Sequence, residues 1–211
     1  SLLLNKQFSR IDGVPLLSPN KIIHNSEGNC LIATFGSGAF FINGKTEKSF
    51  NLQNGFPSDN ILTVFEDSKS NIWFGTQDAG IIKYDGKKFS ALLNISSNTD
   101  KAVWCITEDD SGNIFWGTGE SGIFCYDGKT IKDYTTRDGL SADYITSLQW
   151  DKNQHCLWAG SEKGLDRIKF KASNAIDNIK TFREQDGFSA SGINQNGIWI
   201  DREGLVWEGI S

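Results

Sequence analysis

A chain of 211 residues with 38% hydrophobic and 22% charged residues can bury a sizeable core and is not compositionally disordered. Its net charge of −5, with no run of Lys or Arg, argues against nucleic acid or an anionic membrane surface as a partner. No apolar stretch is long enough for a transmembrane helix, and Leu2 to Leu4 is too short for a signal-peptide core.

Taken in order, the chain repeats itself. Residues 1–12 end in KQFSRIDG, which matches KSFNLQNG at 48–55 and KDYTTRDG at 132–139. They read as the last strand of a preceding or closing unit. Full units follow at 13–54, 55–96, 97–138 and 139–186, and an incomplete one at 187–211. The step is 42: Gly38, Gly80, Gly122 and Gly164 keep it, as do Thr34, Thr76 and Thr118, and Asp67, Asp109 and Asp151. The second unit is the clearest. Ile61 to Phe65, Asn71 to Thr76, Ile81 to Tyr84 and Lys88 to Ala91 read as four strands. The turn at Asp85-Gly86 is a strong hairpin signal. In the third unit the tryptophan has moved by one, Phe115 standing at the place of Trp73 and Trp116 at that of Phe74. The fourth unit lacks the Asp-Gly turn, and its longer connection, KASNAIDN, is expected to be an exposed loop.

Four short antiparallel strands per period, in at least four tandem units, predict an all-β fold. The architecture expected is a β-propeller with about four and a half blades, part of a larger ring and an excerpt of a longer protein. Most repeated residues read as frame. The glycines follow tight turns. Asp67, Asp109 and Asp151 stand where a strand becomes a turn, and can accept backbone N–H bonds there. Trp73, Trp116, Trp158 and Trp207 lie on second strands and read as packing between units.

The stretch GFPSDNILTVFEDSKSNIWFGTQDAGIIKYDG resembles the two-component regulator propeller repeat. EDDSGNIFWGTGESGIFCYDGK and, more loosely, the later units resemble it too. The resemblance implies a seven-bladed propeller outside the cytoplasm. In that family it is the sensor part of a bacterial membrane signalling protein of the Bacteroidetes type, followed by an immunoglobulin-like module, a membrane helix and a histidine kinase. Oligosaccharide sensing is common in the family. Any membrane contact, kinase output or homodimer would then involve segments other than these residues.

No catalytic constellation, metal-ligand set or cofactor motif stands out. His24 and His155 read as solvated turn residues, and Cys30 and Cys156 occupy the slot of Ile72 and Ile114, as small buried hydrophobes do. A ligand site is expected where loops converge near the propeller axis. The lead-ins to the first strands bring Asp59, Asn60, Lys101, Trp104, Asp143 and Tyr144 to that face. The turns between second and third strands bring Gln77, Asp78, Glu120 and Glu162. Aromatic faces beside carboxylates and amides suit an oligosaccharide or a similar polar ligand. Two other readings stand beside it: a polysaccharide lyase or glycoside hydrolase using Asp78 with Glu120 or Glu162, and a structural or dimerising module.

Overall fold

The computed structural model describes residues 19–43, 46–92, 102–187 and 192–210. The strand expected within 1–12, the lead-in at 97–100 and Lys101 lie outside them. The described residues form five antiparallel sheets, each from consecutive strands. Blade I holds β1 (Pro19–His24), β2 (Cys30–Thr34), β3 (Ala39–Asn43) and β4 (Thr46–Phe50). Blade II holds β5 (Ile61–Glu66), β6 (Ile72–Thr76), β7 (Ile81–Tyr84) and β8 (Phe89–Ala91). Blade III holds β9 (Val103–Glu108), β10 (Ile114–Thr118), β11 (Ile123–Tyr126) and β12 (Ile131–Tyr134). Blade IV holds β13 (Ile145–Asp151), β14 (Cys156–Ser161), β15 (Gly164–Phe170) and β16 (Ile176–Phe182). The fifth sheet has two strands, β17 (Ile193–Ile200) and β18 (Val206–Ile210). First strands lie beside one another around an axis, so the architecture is a β-propeller.

Both faces of a middle strand are buried because its sheet is sandwiched between two others. On β6, Phe74 joins the core shared with blade I and Trp73 the core shared with blade III. Phe115 takes the forward-facing slot of Trp73 and packs on Trp150 and Phe170 of blade IV. Trp116 faces back into the core with Trp73. The one-residue shift of tryptophan in the third unit therefore moves an indole from one inter-blade core to the other, as the period-2 alternation of a strand requires.

The turns are built from the repeated polar residues. The Oδ1 of Asp67 accepts from the N–H groups of Lys69 (2.9 Å) and Asn71 (2.8 Å), and its Oδ2 from Trp73 Nε1 (2.8 Å). Asp151 repeats the arrangement with Trp158 (3.3 Å) and Asp201 with Trp207 (2.8 Å). One carboxylate thus closes its turn and fixes the indole that meets the next blade. Short 3₁₀ turns, Leu52–Asn54, Thr136–Asp138 and Glu184–Asp186, join one blade to the next. In each, the third residue's side chain accepts the N–H of the preceding cap residue, and a left-handed glycine follows.

The connection 171–178, expected to be an exposed loop, is exposed at Lys171, Ala172, Asp177 and Asn178 but is only partly loop. It makes a single 3₁₀ turn, Ala172–Asn174, and then enters β16, and the added residues lengthen β15 and β16 to seven each. Asn174 adopts a left-handed φ of 54°, which turns its carbonyl back towards blade III. There it accepts from the Tyr134 hydroxyl and from Lys132 Nζ (3.0 Å). Burial pushes the Tyr134 phenol well above its ordinary value, so it stays a donor.

Gly122 and Gly128 separate two reasons for glycine. Both have positive φ, 73° and 94°. A Cβ on Gly122 would lie 2.1 Å from the Tyr134 carbonyl oxygen, whereas one on Gly128 would meet nothing within 4 Å. Gly128→Ala is expected to cost about 1 kcal/mol for the left-handed backbone alone. Gly122→Ala should cost roughly 3 kcal/mol, because backbone must also move. Equilibrium urea unfolding of the two variants checks the difference; equal losses would refute the steric reading.

Candidate functional site

The lead-in loops are more constrained than their variation in sequence suggests. Asp59 and Asp143 stand two periods apart and do the same work. Asp59 Oδ1 accepts the Leu52 N–H (2.8 Å) and Asp143 Oδ1 the Thr136 N–H (2.7 Å), each tying a first strand to the 3₁₀ turn before it. The backbone carbonyl of Asp59 also accepts the N–H of Gly38 (2.8 Å), and that of Asp143 the N–H of Gly122 (2.8 Å). Asn60 receives its N–H bond partner in Ser58 Oγ (2.9 Å), and its carbonyl accepts the Gln77 N–H (3.0 Å). Asp78 accepts a short hydrogen bond from the Ser58 hydroxyl.

Trp104 and Tyr144 come together edge to face, ring centroids 5.9 Å apart, and Trp104 Nε1 has no protein acceptor among the described residues. Glu120 and Glu162 are exposed. Glu162 lines a depression of about 360 Å³ with Lys163, Arg183 and Glu184. The structure therefore pairs Trp104 with Tyr144 and places Glu162 in a separate depression.

The other end of the axis holds a cavity of about 340 Å³, lined by all five first strands, and none of the predicted site residues is part of it. Val64, Ile106 and Leu148, one repeat slot, supply apolar wall. Phe65, Thr107 and Gln149, the next slot, differ from blade to blade. From β1 come Lys21 and His24, and from β17 come Asn196 and Ile198. Lys21 has no hydrogen bond or ion pair among the described residues. Desolvation lowers its ammonium from the ordinary value, with Cys105 opposing. Burial pushes the Cys105 thiol up to about 12, so it stays neutral. Asn196 sits at a left-handed φ of 52°, and its buried Nδ2 has no protein partner.

The cavity owes its shape to β17. Between Ile193 and Ile198 that strand bulges, while its partner advances only from Ile210 to Glu208. The bulge carries Gln195 across the axis, where Nε2 donates to the carbonyls of Leu62 (2.9 Å) and Trp104 (3.2 Å). Those carbonyls lie two residues nearer the lead-in loops than the cavity wall, so Gln195 bridges the axis between its two ends. No period-42 signal marks this residue, because the bulge breaks the repeat.

A second feature was visible only as spacing. Glu66 accepts the N–H and hydroxyl of Ser26 in the preceding blade (both 2.7 Å), and Glu108 does the same with Ser68 (both 2.8 Å). In the repeated Glu-Asp pair, the Glu latches two blades and the Asp closes its own turn. Blade IV lacks the Glu, and its His155 Nδ1 instead meets Asp110 Oδ2 at 2.7 Å. His155 and His24 are both exposed, as expected, and His24, which ends β1 at the turn, also borders the cavity. All four cysteines are free. Among the described residues no group of three or more His, Cys, Asp or Glu could hold a metal ion, and no helix is long and apolar enough to cross a membrane.

The fold and these repeated turns define the class: an all-β propeller of tandem four-stranded blades. Residues 55–78 match the family model described as two component regulator propeller, so the chain carries that repeat. Its fold is similar to that of the extracellular domain assigned to the hybrid two component system BT3049 of B. thetaiotaomicron (TM-score 0.83, 18% identity, covering 97% of this chain and 28% of that one). It is similar also to the extracellular domain of BT4673 from the same organism (TM-score 0.76, 19% identity, 95% and 29%). Virginiamycin B lyase from Staphylococcus aureus shares the fold as well (TM-score 0.68, 21% identity, 89% and 61%). The chain thus spans under a third of the length of the two extracellular domains. No curated protein matches it by sequence.

The loop geometry separates frame from surface. Asp143→Ala removes acceptors from both the N–H and the hydroxyl of Thr136, and should cost about 1–2 kcal/mol. Glu120→Ala should stay within about 0.5 kcal/mol, as an exposed side chain does. Thermal melts of both variants check this, and an Asp143→Ala protein as stable as the parent would return Asp143 to the pool of free ligand-binding groups.

Proposed function

We propose that this chain serves as the sensory, non-enzymatic propeller of a signalling receptor outside the cytoplasm, and that its lead-in face recognises an oligosaccharide or a similar polar ligand. The carrying observation is how the loop residues divide. Asp59, Asp78 and Asp143 accept bonds from their own frame, while the Trp104 and Tyr144 rings meet edge to face and the carboxylates of Glu120 and Glu162 are exposed. Aromatic edges and faces pack on the C–H surface of a sugar, and carboxylates accept from its hydroxyls. The repeat at 55–78 and the likeness to extracellular domains of hybrid two component systems support a receptor setting. In that setting the membrane anchor, the signalling output and any pairing of two copies belong to the whole receptor.

The lyase-like fold keeps an enzymatic reading in the test. Of its candidate acids, Asp78 already accepts from Ser58, which favours binding over acid–base work. Calorimetry with a panel of neutral and acidic oligosaccharides is expected to find one that binds saturably, with affinity at least about tenfold lower in Trp104→Ala. Binding of no glycan, or a polysaccharide turned over by the parent and left intact by Glu120→Gln, would overturn the sensory reading.

A further inference from the structure

We infer that Gln195, on the fifth sheet, is a positioning residue for the lead-in face: it holds the backbone of Trp104 from across the axis and so fixes where that indole stands. The ground is a bulge that recurs at one slot in the first strands of blades I to IV. The pairing of β5 with β6 passes from Ile61–Thr76 to Thr63–Gly75 and leaves out Leu62, and that of β9 with β10 passes from Val103–Thr118 to Cys105–Gly117 and leaves out Trp104. In β1 and β13 the residues left out are Asn20 and Thr146. Positions 20, 62, 104 and 146 keep the step of 42. A bulge residue is released from the ladder, and its side chain is re-aimed.

The slot is held in two ways. Where it is polar, the bulge residue bonds the next blade itself: Asn20 Nδ2 donates to the Ile61 carbonyl (2.8 Å) and Thr146 Oγ1 to the Ile193 carbonyl (2.6 Å). Leu62 has no polar side-chain atom, and Trp104 Nε1 has no protein acceptor among the described residues. Gln195 supplies the missing tie. Its amide nitrogen carries two hydrogens, and the carbonyls of Leu62 and Trp104 stand 2.9 and 3.2 Å from it. Turned over, the amide would set its oxygen against two carbonyl oxygens, so the partners dictate its orientation. β17 packs mainly on β13 and β14 of blade IV, and this side chain carries the hold of the fifth sheet to blades II and III.

The consequence falls on Trp104. Its neighbours Val103 and Cys105 are paired in the ladder, and the peptide unit after Trp104 is planar, so holding its carbonyl fixes the backbone torsion that aims the side chain. That aim brings the ring edge to face with Tyr144. Without the bond the bulge peptide can rotate while the pairs on either side stay in place, and the ring leaves Tyr144 with the fold intact. The part of Gln195 in recognition rests on the proposed reading of the lead-in face; its hold on Trp104 does not.

Fluorine NMR of the full chain labelled with 5-fluorotryptophan, with no ligand added, tests this. The chain has seven tryptophans, and Trp104→Phe identifies the resonance of Trp104. Gln195→Met keeps the length of the side chain and removes the donor, and Gln195→Ala removes both. In each, the Trp104 resonance should move by more than its linewidth, while those of Trp73 and Trp158, held by the aspartates of their own turns, keep their positions. Gln149→Met removes another amide at the axis, one that bonds the Trp150 carbonyl of its own strand at 3.1 Å, and should leave the Trp104 resonance in place. Thermal melts establish that each variant is folded. A Trp104 resonance unmoved in Gln195→Met, moved equally by Gln149→Met, or moved together with all the others would each overturn the inference, as would a Gln195→Met chain that fails to fold. Because no ligand is present, failure here leaves the glycan reading standing, and absence of glycan binding leaves this inference standing.

Discussion

The close approach of each blade's second strand to the first strand of the next governs this molecule. At Gly75, Gly117 and Gly160 a Cβ would lie 2.6–2.8 Å from atoms of Val103, Ile145 and Ile193, the residues that open or nearly open the following blade. Without side chains at these points, β6, β10 and β14 press directly on β9, β13 and β17. Larger residues there would push successive sheets apart, and dense packing does not tolerate that. The approach sets the spacing of the first strands, and with it the width of the axis. The Glu66–Ser26 and Glu108–Ser68 latches then act on a geometry already fixed by sterics.

Upon that spacing the tryptophans build the inter-blade cores. Trp73 and Trp158 are 1% and 6% exposed, each held by the aspartate of its own turn and covered by the next sheet. Trp207 has the same anchor in Asp201, yet is 55% exposed. It lies opposite Trp199 across β17 and β18, with Leu205 nearby, on the flank away from blade IV. The bond orients the indole whether or not a sheet covers it, and the aspartate is held below the ordinary carboxylate range by that indole N–H. Anchor and cover are thus separable: the first is local to one hairpin, the second needs a neighbour.

Much of the fold was legible because it is local and repeated. Asp67, Asp85 and the Asn or Asp before Gly55, Gly139 and Gly187 act within a few residues of themselves, and the repeat shows each kind of turn more than once. The bonds of Asp59 and Asp143 to the 3₁₀ turns were not legible, since these residues recur at two periods instead of one. The connection 171–178 departed from expectation because its partner, Tyr134, lies forty residues away on another blade. Least legible was the far end of the axis. Lys21, Thr107, Gln149 and Asn196 share no motif, and they meet only because five strands converge and one of them bulges.

The two ends of the axis therefore differ in kind. At the lead-in end, polar side chains sit on loops, and the carboxylates of Asp59, Asp78 and Asp143 already accept bonds from their own frame. At the far end, side chains project from strand interiors, where rotamers are set by packing and a donor cannot turn away to find water. A repeat fold ordinarily writes its variation into loops, because strands must satisfy the neighbouring blade on both faces. The slot of Phe65, Thr107 and Gln149 puts three unlike side chains on one frame, and each meets its surroundings differently: Phe65 packs on the core shared with blade III, while Thr107 Oγ1 accepts the backbone N–H of Trp150 in blade IV.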